Sequence, residues 1–379
     1  MLVLPPLSLY IHIPWCVRKC PYCDFNSHES KGELPEQEYL RALLGDLEND
    51  LAAVQGRELQ SVFIGGGTPS LMSAGFYDEL FSRLNGAVNF AHDVEITLEA
   101  NPGTVEASRF ADYRTLGINR LSLGIQSFDD LALKTLGRIH DGEEARDAIG
   151  ICRRAGFENF NLDIMYALPG QTAEQAMDDL GEALQFEPTH LSWYQLTLEP
   201  NTAFYSKPPV LPEEHSVLTI MQSGLMRLEQ AGLQRYEISA YSVQGQQSRH
   251  NLNYWQFGDY LGIGAGASGK ITRIENNQIV RTRKVRQPTH YLSCKGEYLA
   301  EQQTIQQDDL DLEFMMNALR LIDGFEPGLY ERHTGKSFSA IGKKLECLQE
   351  EGLLRLTPGR IAPTEKGVLF TNNLLEKFL

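Results

Sequence analysis

A β-rich run, a loop and a stretch of helical periodicity recur six times in the first part of this chain, and that repetition leaves few architectures open. The runs are Leu7–Ile13, Ser61–Ile64, Val94–Leu98, Arg120–Gly124, Phe160–Met165 and Leu191–Thr197. After the first, Tyr39, Leu40, Leu43, Leu44, Leu47 and Leu51 share one helical face, which predicts a helix over Glu36–Val54. Strands separated by helical crossovers pair in parallel. The sheet is then either a curved, incomplete barrel or an open doubly wound sheet. Both gather ligands at the C-terminal ends of their strands.

The pattern stops near residue 205. Lys207-Pro208-Pro209 and Leu211-Pro212 read as a linker, and a long helix is expected over His215–Ala231. An aromatic and glycine-rich stretch, Tyr236 to Lys270, follows. From Asp308 onward, helices lead into Gly352–Leu356, a turn at Pro358-Gly359 and Ile361–Thr364, the outline of a winged helix. That segment holds 12 acidic and 9 basic side chains, where a DNA-reading wing would be basic. The expected division is 1–205 for a cofactor-binding core, 206–305 for an α/β extension and 306–379 for the small C-terminal domain.

The chain has 379 residues and a net charge of -16, which argues against nucleic acid as a partner. No apolar run approaches the roughly 18 residues of a membrane span, and Met1–Leu9 lacks a signal peptide's basic start. The expectation is a cytoplasmic protein.

Three of the six cysteines fall together, in Cys16-Val17-Arg18-Lys19-Cys20-Pro21-Tyr22-Cys23, directly after the first strand. Clustered cysteines in a reducing compartment point to metal. Three thiolates can hold three irons of a [4Fe–4S] cube and leave the fourth open. Zinc is the competitor, with His12 or His28 as a fourth ligand, but its sites favour C-x2-C or C-x4-C pairs. Cys152, Cys294 and Cys347 are scattered and expected to be plain buried thiols.

Other strand ends carry polar groups on the same rim. The second runs into Gly65-Gly66-Gly67-Thr68-Pro69, where backbone can approach a ligand closely. The third ends at Glu99-Ala100-Asn101-Pro102 and the fourth at Gly124-Ile125-Gln126-Ser127, with Arg138 beyond; the fifth carries Asp163. Glu99 and Asp163 suit hydroxyls or an ammonium, and Arg138 suits a carboxylate. Gly264-Ala265-Gly266-Ala267-Ser268-Gly269 matches G-x-G-x-x-G, but Lys270–Ile274 reads as strand, so the dinucleotide context fails.

The three-cysteine spacing after strand one resembles the radical S-adenosylmethionine (SAM) superfamily, whose open iron binds SAM and whose cofactors supply radical chemistry. The full array resembles one branch, the oxygen-independent coproporphyrinogen III oxidases and the heme chaperones related to them. That resemblance implies a partial (β/α)6 barrel with a C-terminal α+β extension and a small winged-helix-like domain. It implies Cys16, Cys20 and Cys23 as cluster ligands. It also implies SAM contacts at Tyr10, Tyr22, Gly66, Gly67, Thr68, Glu99, Gln126, Arg138 and Asp163.

Within the branch, the oxidases carry a fourth cysteine two residues after the third, where this chain has Phe25. They also carry an N-terminal arm before the first strand, and here that strand begins at Leu7. Both departures argue against coproporphyrinogen decarboxylation. Arg249-His250-Asn251-Leu252-Asn253-Tyr254-Trp255 resembles the H-N-x-x-Y-W signature of the heme chaperones. His250 is then the expected axial ligand of heme iron, titrating near the ordinary histidine value of about 6.5. A thiolate heme motif at Cys20-Pro21 is set aside, since that thiolate serves the cluster. Relatives often carry His where this chain has Ser268. The reading is a heme chaperone that passes heme to an acceptor protein, which could sit at a membrane, with an electron donor serving the cluster. The alternatives are a tetrapyrrole oxidase and, disfavoured by its acidity, a winged-helix regulator.

Overall fold

The computed structural model describes residues 2–379. Strands β1 (Leu7–Ile13), β2 (Leu59–Gly66), β3 (Phe90–Ala100), β4 (Arg120–Gln126), β5 (Asn159–Tyr166) and β6 (His190–Gln195) pair in parallel, each with the next in sequence. These are the six predicted runs, most of them longer by a few residues. The sheet curves so that alternate side chains of β1 to β6 face one lumen. The other set, Leu121, Leu123, Leu162 and Leu191 among them, joins the apolar core beneath the outer helices.

Those helices are amphipathic for the expected reason. In α1 (Glu36–Asp50), Tyr39, Leu40, Leu43 and Leu47 are buried. The helix ends at Asp50, four residues before the predicted Val54, because Leu51–Val54 tightens into a 3-10 turn and Gln55 turns left-handed. The further helices are α2 (Ala74–Ala87), α3 (Phe110–Thr115), α4 (Gly142–Arg154), α5 (Ala173–Gln185) and α6 (Glu214–Gln230). Capping boxes start two of them: Asp141 with Glu144 on α4, and Thr172 with Gln175 on α5. Each satisfies backbone N–H groups that a helix start leaves unpaired.

The later part of the chain returns to the same sheet. After β7 (Gln234–Arg235) and β8 (Ala240–Ser242) at one edge comes α7 (Arg249–Trp255). Then β9 (Asp259–Ile263) pairs in parallel with the free edge of β1. Three antiparallel strands, β10 (Ser268–Arg273), β11 (Gln278–Lys284) and β12 (Leu299–Thr304), continue outward to make a sheet of 12 strands. Buried ion pairs hold this join. Asp259 meets Arg57 at 2.8 Å and Lys270 at 2.9 Å, and Lys284 reaches Asp46 and Asp50. Such pairs need partners on every side to offset their desolvation. Asp259 has them, accepting also from Thr272 N–H and hydroxyl.

A second apolar core, with Phe314, Tyr330, Leu345 and Ile361, lies in the C-terminal segment. It is built from α8 (Leu310–Ala318), α9 (Pro327–Thr334), α10 (Gly342–Glu350) and the hairpin of β13 (Leu354–Thr357) and β14 (Arg360–Pro363). Among the described residues no helix is long and apolar enough to cross a membrane.

One expectation about the scattered cysteines needs correction. Only Cys152 is buried; Cys294 is half-buried and Cys347 exposed. Cys347 lies on the outward face of α10, where its thiol donates to Glu351, a solvent-side residue one turn on.

Candidate cofactor site

The cluster loop leaves β1 at Ile13 and crosses the C-terminal rim of the barrel. It is fastened from below. His12 Nε2 donates to the carbonyl of Asn26 at 3.0 Å, so its Nδ1 is the acceptor for the Tyr10 hydroxyl, also at 3.0 Å. Asn26 in turn donates to the carbonyls of Ala265 and Arg286. The anchor on Ala265 explains the glycine-rich segment that matched G-x-G-x-x-G. It is the turn from β9 to β10, with no helix after it, and it packs on the cluster loop. Gly266 has φ 85°, and a Cβ there would stand 2.2 Å from the Asn26 amide. Ser268 is exposed on β10, away from the cofactor cleft.

A cavity of about 140 Å³ opens at the rim. Cys16, Cys20 and Cys23 line it from the loop. Facing them are Tyr22, Gly66, Gly67, Thr68, Glu99, Gln126, Arg138 and Asp163. Of the residues expected to hold cluster or SAM, only Tyr10 is absent from the lining; it lies deeper in the lumen, below His12. Gly66 adopts φ 114°, and a Cβ there would sit 2.5 Å from the His12 ring. The glycine therefore lets the strand end run over a packed imidazole. Its N–H donates to Glu99 at 3.1 Å. Sequence reasoning missed Ser122 and Tyr194 in the lining. Strand periodicity pointed to both: Ser122 shares the lumen face with Gly124 and Gln126, and Tyr194 shares it with Ser192.

The electrostatics suit a charged, polar ligand. Burial, with Asp163 as a second cause, pushes the Glu99 carboxyl up to about 7 against the Gly66 N–H that favours its charge. Burial also raises Asp163, although Asn161, Ser192 and Ser122 hydrogen-bond to it. Arg138 is nearly enclosed. It donates to Asn101 and to the carbonyl of Gly124, each at 2.7 Å, and points to the Cys20 sulfur at 3.8 Å. Two atoms of this cleft, Arg138 Nε and Gln126 Oε1, are buried without a protein partner. Buried polar groups ordinarily have partners, so orphans in a cleft mark where a ligand's own groups belong. Among the described residues no three Cys, His, Asp or Glu side chains converge on a single-ion site. A cubane asks for a different arrangement, three thiolates each on its own iron. The residues present fit both groups. Cys16, Cys20 and Cys23 would hold the cluster, and Glu99, Asp163 and Arg138 the polar parts of SAM.

His250 is not in this cleft. It stands in the lumen at the barrel's other end, on the inner face of α7, and is 2% exposed. Its ring stacks on Phe63 at 4.8 Å and meets Tyr254 edge-on at 4.5 Å. Nδ1 is 3.3 Å from the Ser61 hydroxyl, and Nε2 is buried without a partner. Burial, assisted by the charge of Arg120, takes the imidazole down to about 3. The titration near 6.5 expected from the sequence is therefore absent in this packing.

A curved parallel sheet with a C-x3-C-x2-C loop on its C-terminal rim, over a cleft lined by glycines, acids and one arginine, defines a radical SAM protein. Residues 10–183 match the radical SAM superfamily, and residues 305–370 match the HemN C-terminal domain. The chain belongs to the HemW family. It is 49% identical over 379 residues, the whole of both chains, to heme chaperone HemW of Escherichia coli. It is 49% identical to heme chaperone HemW of Haemophilus influenzae, covering 99% of this chain and 98% of that one. Among solved structures, coproporphyrinogen III oxidase (HemN) from Escherichia coli shares the fold. Its TM-score is 0.82 at 24% identity, covering 99% of this chain and 90% of that one.

Proposed function

We infer that this protein is a heme chaperone: it binds heme and hands it to an acceptor protein, on a scaffold that carries a [4Fe–4S] cluster and exchangeable SAM. The observation that carries the reading is the full-length identity to proteins named heme chaperones. Residues 1–205 serve as the cofactor-binding core, 206–305 as the extension bearing the heme motif and 306–379 as a small domain for interaction. The protein works in the cytoplasm, with an electron donor for the cluster.

The cluster and SAM, when bound, supply a low-potential electron and a cleavable sulfonium. The chain's own residues do the rest. Cys16, Cys20 and Cys23 present thiolates. Arg138 orients a carboxylate with its planar fork. Glu99 and Asp163 accept from ammonium or hydroxyl groups, and the glycine turn brings backbone against the ligand.

His250 is proposed as the axial ligand of heme iron. The hydrogen bond on its other ring nitrogen supports that role, because metal-binding histidines hold one ring nitrogen in a hydrogen bond and leave the other free. Here Ser61 holds Nδ1, and Nε2 is free. In the closed packing Nε2 is sealed, so ligation requires α7 to leave the lumen.

The deciding experiment reconstitutes the protein anaerobically with iron and sulfide and titrates it with hemin. The loaded protein is then mixed with an apo-hemoprotein while the Soret band is followed. Stoichiometric heme uptake followed by transfer is expected. No saturable hemin binding would overturn the reading.

A further inference from the structure

Helix α7 carries and adjoins polar groups that the closed structure leaves unsatisfied. His250 Nε2 and Trp255 Nε1 belong to the helix itself. Arg320, whose guanidinium lies over the Trp255 ring at 4.2 Å, has its Nε buried and unpartnered. Thr97 Oγ1 and Arg120 Nε, on neighbouring positions of β3 and β4, complete the set. Buried polar atoms ordinarily find partners, and a concentration of exceptions around one short helix marks a packing of limited stability.

Arg120 is the sharpest case. The side chain is 2% exposed, and no carboxylate of the described residues lies within ion-pair distance. Other buried cations of this chain, Lys270 and Lys284, are paired. Three acids face the same lumen, and Glu99, at the rim, accepts the Gly66 N–H. Asp163, above, is taken by Asn161 and Ser122. Glu95, two residues before Thr97 on the same face of β3, accepts the backbone N–H groups of Arg249 and His250 at the start of α7. Glu95 thus caps the helix that covers the lumen, and the arginine near it has no carboxylate in ion-pair contact, its charge reaching Asp163 only at longer range.

We propose that α7 is the movable wall of the heme site, and that Glu95 exchanges partners when it moves. Closed, Glu95 holds the N-terminus of α7. Open, it pairs with Arg120, while the withdrawn helix offers His250 Nε2 to the iron and the Tyr254 and Trp255 rings to the macrocycle. The exchange gives each state its own contacts, which a two-state element needs if a ligand is to bias it. The proposal rests on the heme-binding reading.

Hydrogen–deuterium exchange of the cluster-loaded protein, with and without hemin, tests it in the segment from 246 to 258. Hemin should raise exchange at the amides that α7 and its cap now protect, and leave β1 to β5 unchanged. Arg120→Met supplies the second arm. It removes an unpaired charge from the closed state and the ion pair from the open one. Its melting temperature should therefore rise while hemin affinity falls about ten-fold. An arginine that merely supports the fold would give the reverse, a lower melting temperature with unaltered hemin affinity, and that result would overturn the exchange of partners. Hemin binding with no change in exchange over α7 would sink the proposal and leave the chaperone reading standing. A wild type that binds no hemin would remove both.

Discussion

Arg138 joins the cluster loop to the strand ends: Nη1 points to the Cys20 sulfur at 3.8 Å while Nη2 donates to Asn101 and Gly124. One guanidinium thus links a candidate cluster ligand to the ends of β3 and β4. Burial works against its charge, and the nearby Tyr22 and Cys20 more than restore it. The arginine is a fixed cation at the site proposed to receive the SAM carboxylate.

Arg138→Ala should therefore weaken SAM binding by about 1.5–3 kcal/mol, or roughly ten- to a hundred-fold, as loss of a charge-assisted contact. Arg138→Lys should recover only part of this, because an ammonium lacks the planar fork. Equilibrium dialysis with labelled SAM on cluster-loaded protein measures it. Wild-type affinity in Arg138→Ala would take that residue out of the SAM site.

Cys20 is the second test. Of the three thiols on the cavity it alone touches Arg138, and Pro21 and Tyr22 beside it pack toward Phe204. Cys20→Ala should lose most iron and sulfide after reconstitution while keeping its far-ultraviolet circular dichroism. Retention of a [4Fe–4S] spectrum would refute the ligand assignment.

Most of this cleft was legible in the sequence for one reason. In a β–α repeat the strand ends are known once the runs are found, and Glu99, Gln126 and Asp163 lie at or near such ends. The cysteine spacing then fixed which rim carried the chemistry. Two features were not legible. Asp259–Ile263 lies within a stretch that reads only as aromatic and glycine-rich; it is a strand whose parallel partner is β1, some 250 residues earlier, and local sequence says nothing about which edge a strand will join. His250 reads as a histidine beside aromatics, and that description fits a surface platform and a lumen plug equally. Only the turn of α7, with Glu95 at its start and Phe63 under the ring, distinguishes them. The exposed Cys347 shows the same limit, since cysteine's average burial does not tell which face of a short helix it occupies.

Glu99 makes the cleft pH-sensitive. Its carboxyl titrates at about 7 in the fold against an ordinary 4.5. A folded value above the unfolded one means that its contribution to stability is full below the unfolded value and is lost as pH rises through about 7. The loss is about 3 kcal/mol at most. Ligand binding runs the other way, because a cationic ligand needs the carboxylate. SAM affinity should rise from pH 6 to pH 8 in wild type and be flatter in Glu99→Gln. The same variant should melt higher than wild type at pH 8. A Glu99→Gln protein no more stable than wild type at that pH would contradict the buried, strained carboxylate.

Phe25 bears on the oxidase alternative. It occupies the position of the oxidases' extra cysteine and is 59% exposed on the cluster loop. A side chain so placed can neither ligate iron nor donate a proton. Anaerobic incubation with coproporphyrinogen III, SAM and reductant should yield no protoporphyrinogen IX above the level of a Cys20→Ala control. Robust turnover would move the oxidase reading ahead of the chaperone.

The final prediction concerns His250 and separates its chemistry from its packing. Removing the imidazole takes away the proposed iron ligand and also a ring stacked on Phe63 and edge-on to Tyr254, so some loss of stability is expected from the cavity alone. His250→Ala should therefore be compared with His250→Phe, which keeps a ring in the lumen and has no ligating nitrogen. Both should bind hemin more weakly than wild type with an altered Soret band, and both should retain the iron–sulfur cluster at the opposite end of the barrel. The pH dependence sharpens the test. In the closed fold the imidazole stays neutral down to about 3, and in the heme-bound form it is neutral because iron occupies the nitrogen. Neither end of the binding equilibrium takes up a proton at His250 between pH 8 and pH 5. The ratio of wild-type to His250→Ala affinity should then be constant over that range, whereas an exposed histidine ligand would lose its advantage as pH fell through about 6.5. A ratio that collapses below pH 6.5 would place His250 outside the lumen before heme arrives. Identical hemin affinity and spectra in all three proteins would make it a packing residue and leave the iron's ligand to be sought elsewhere.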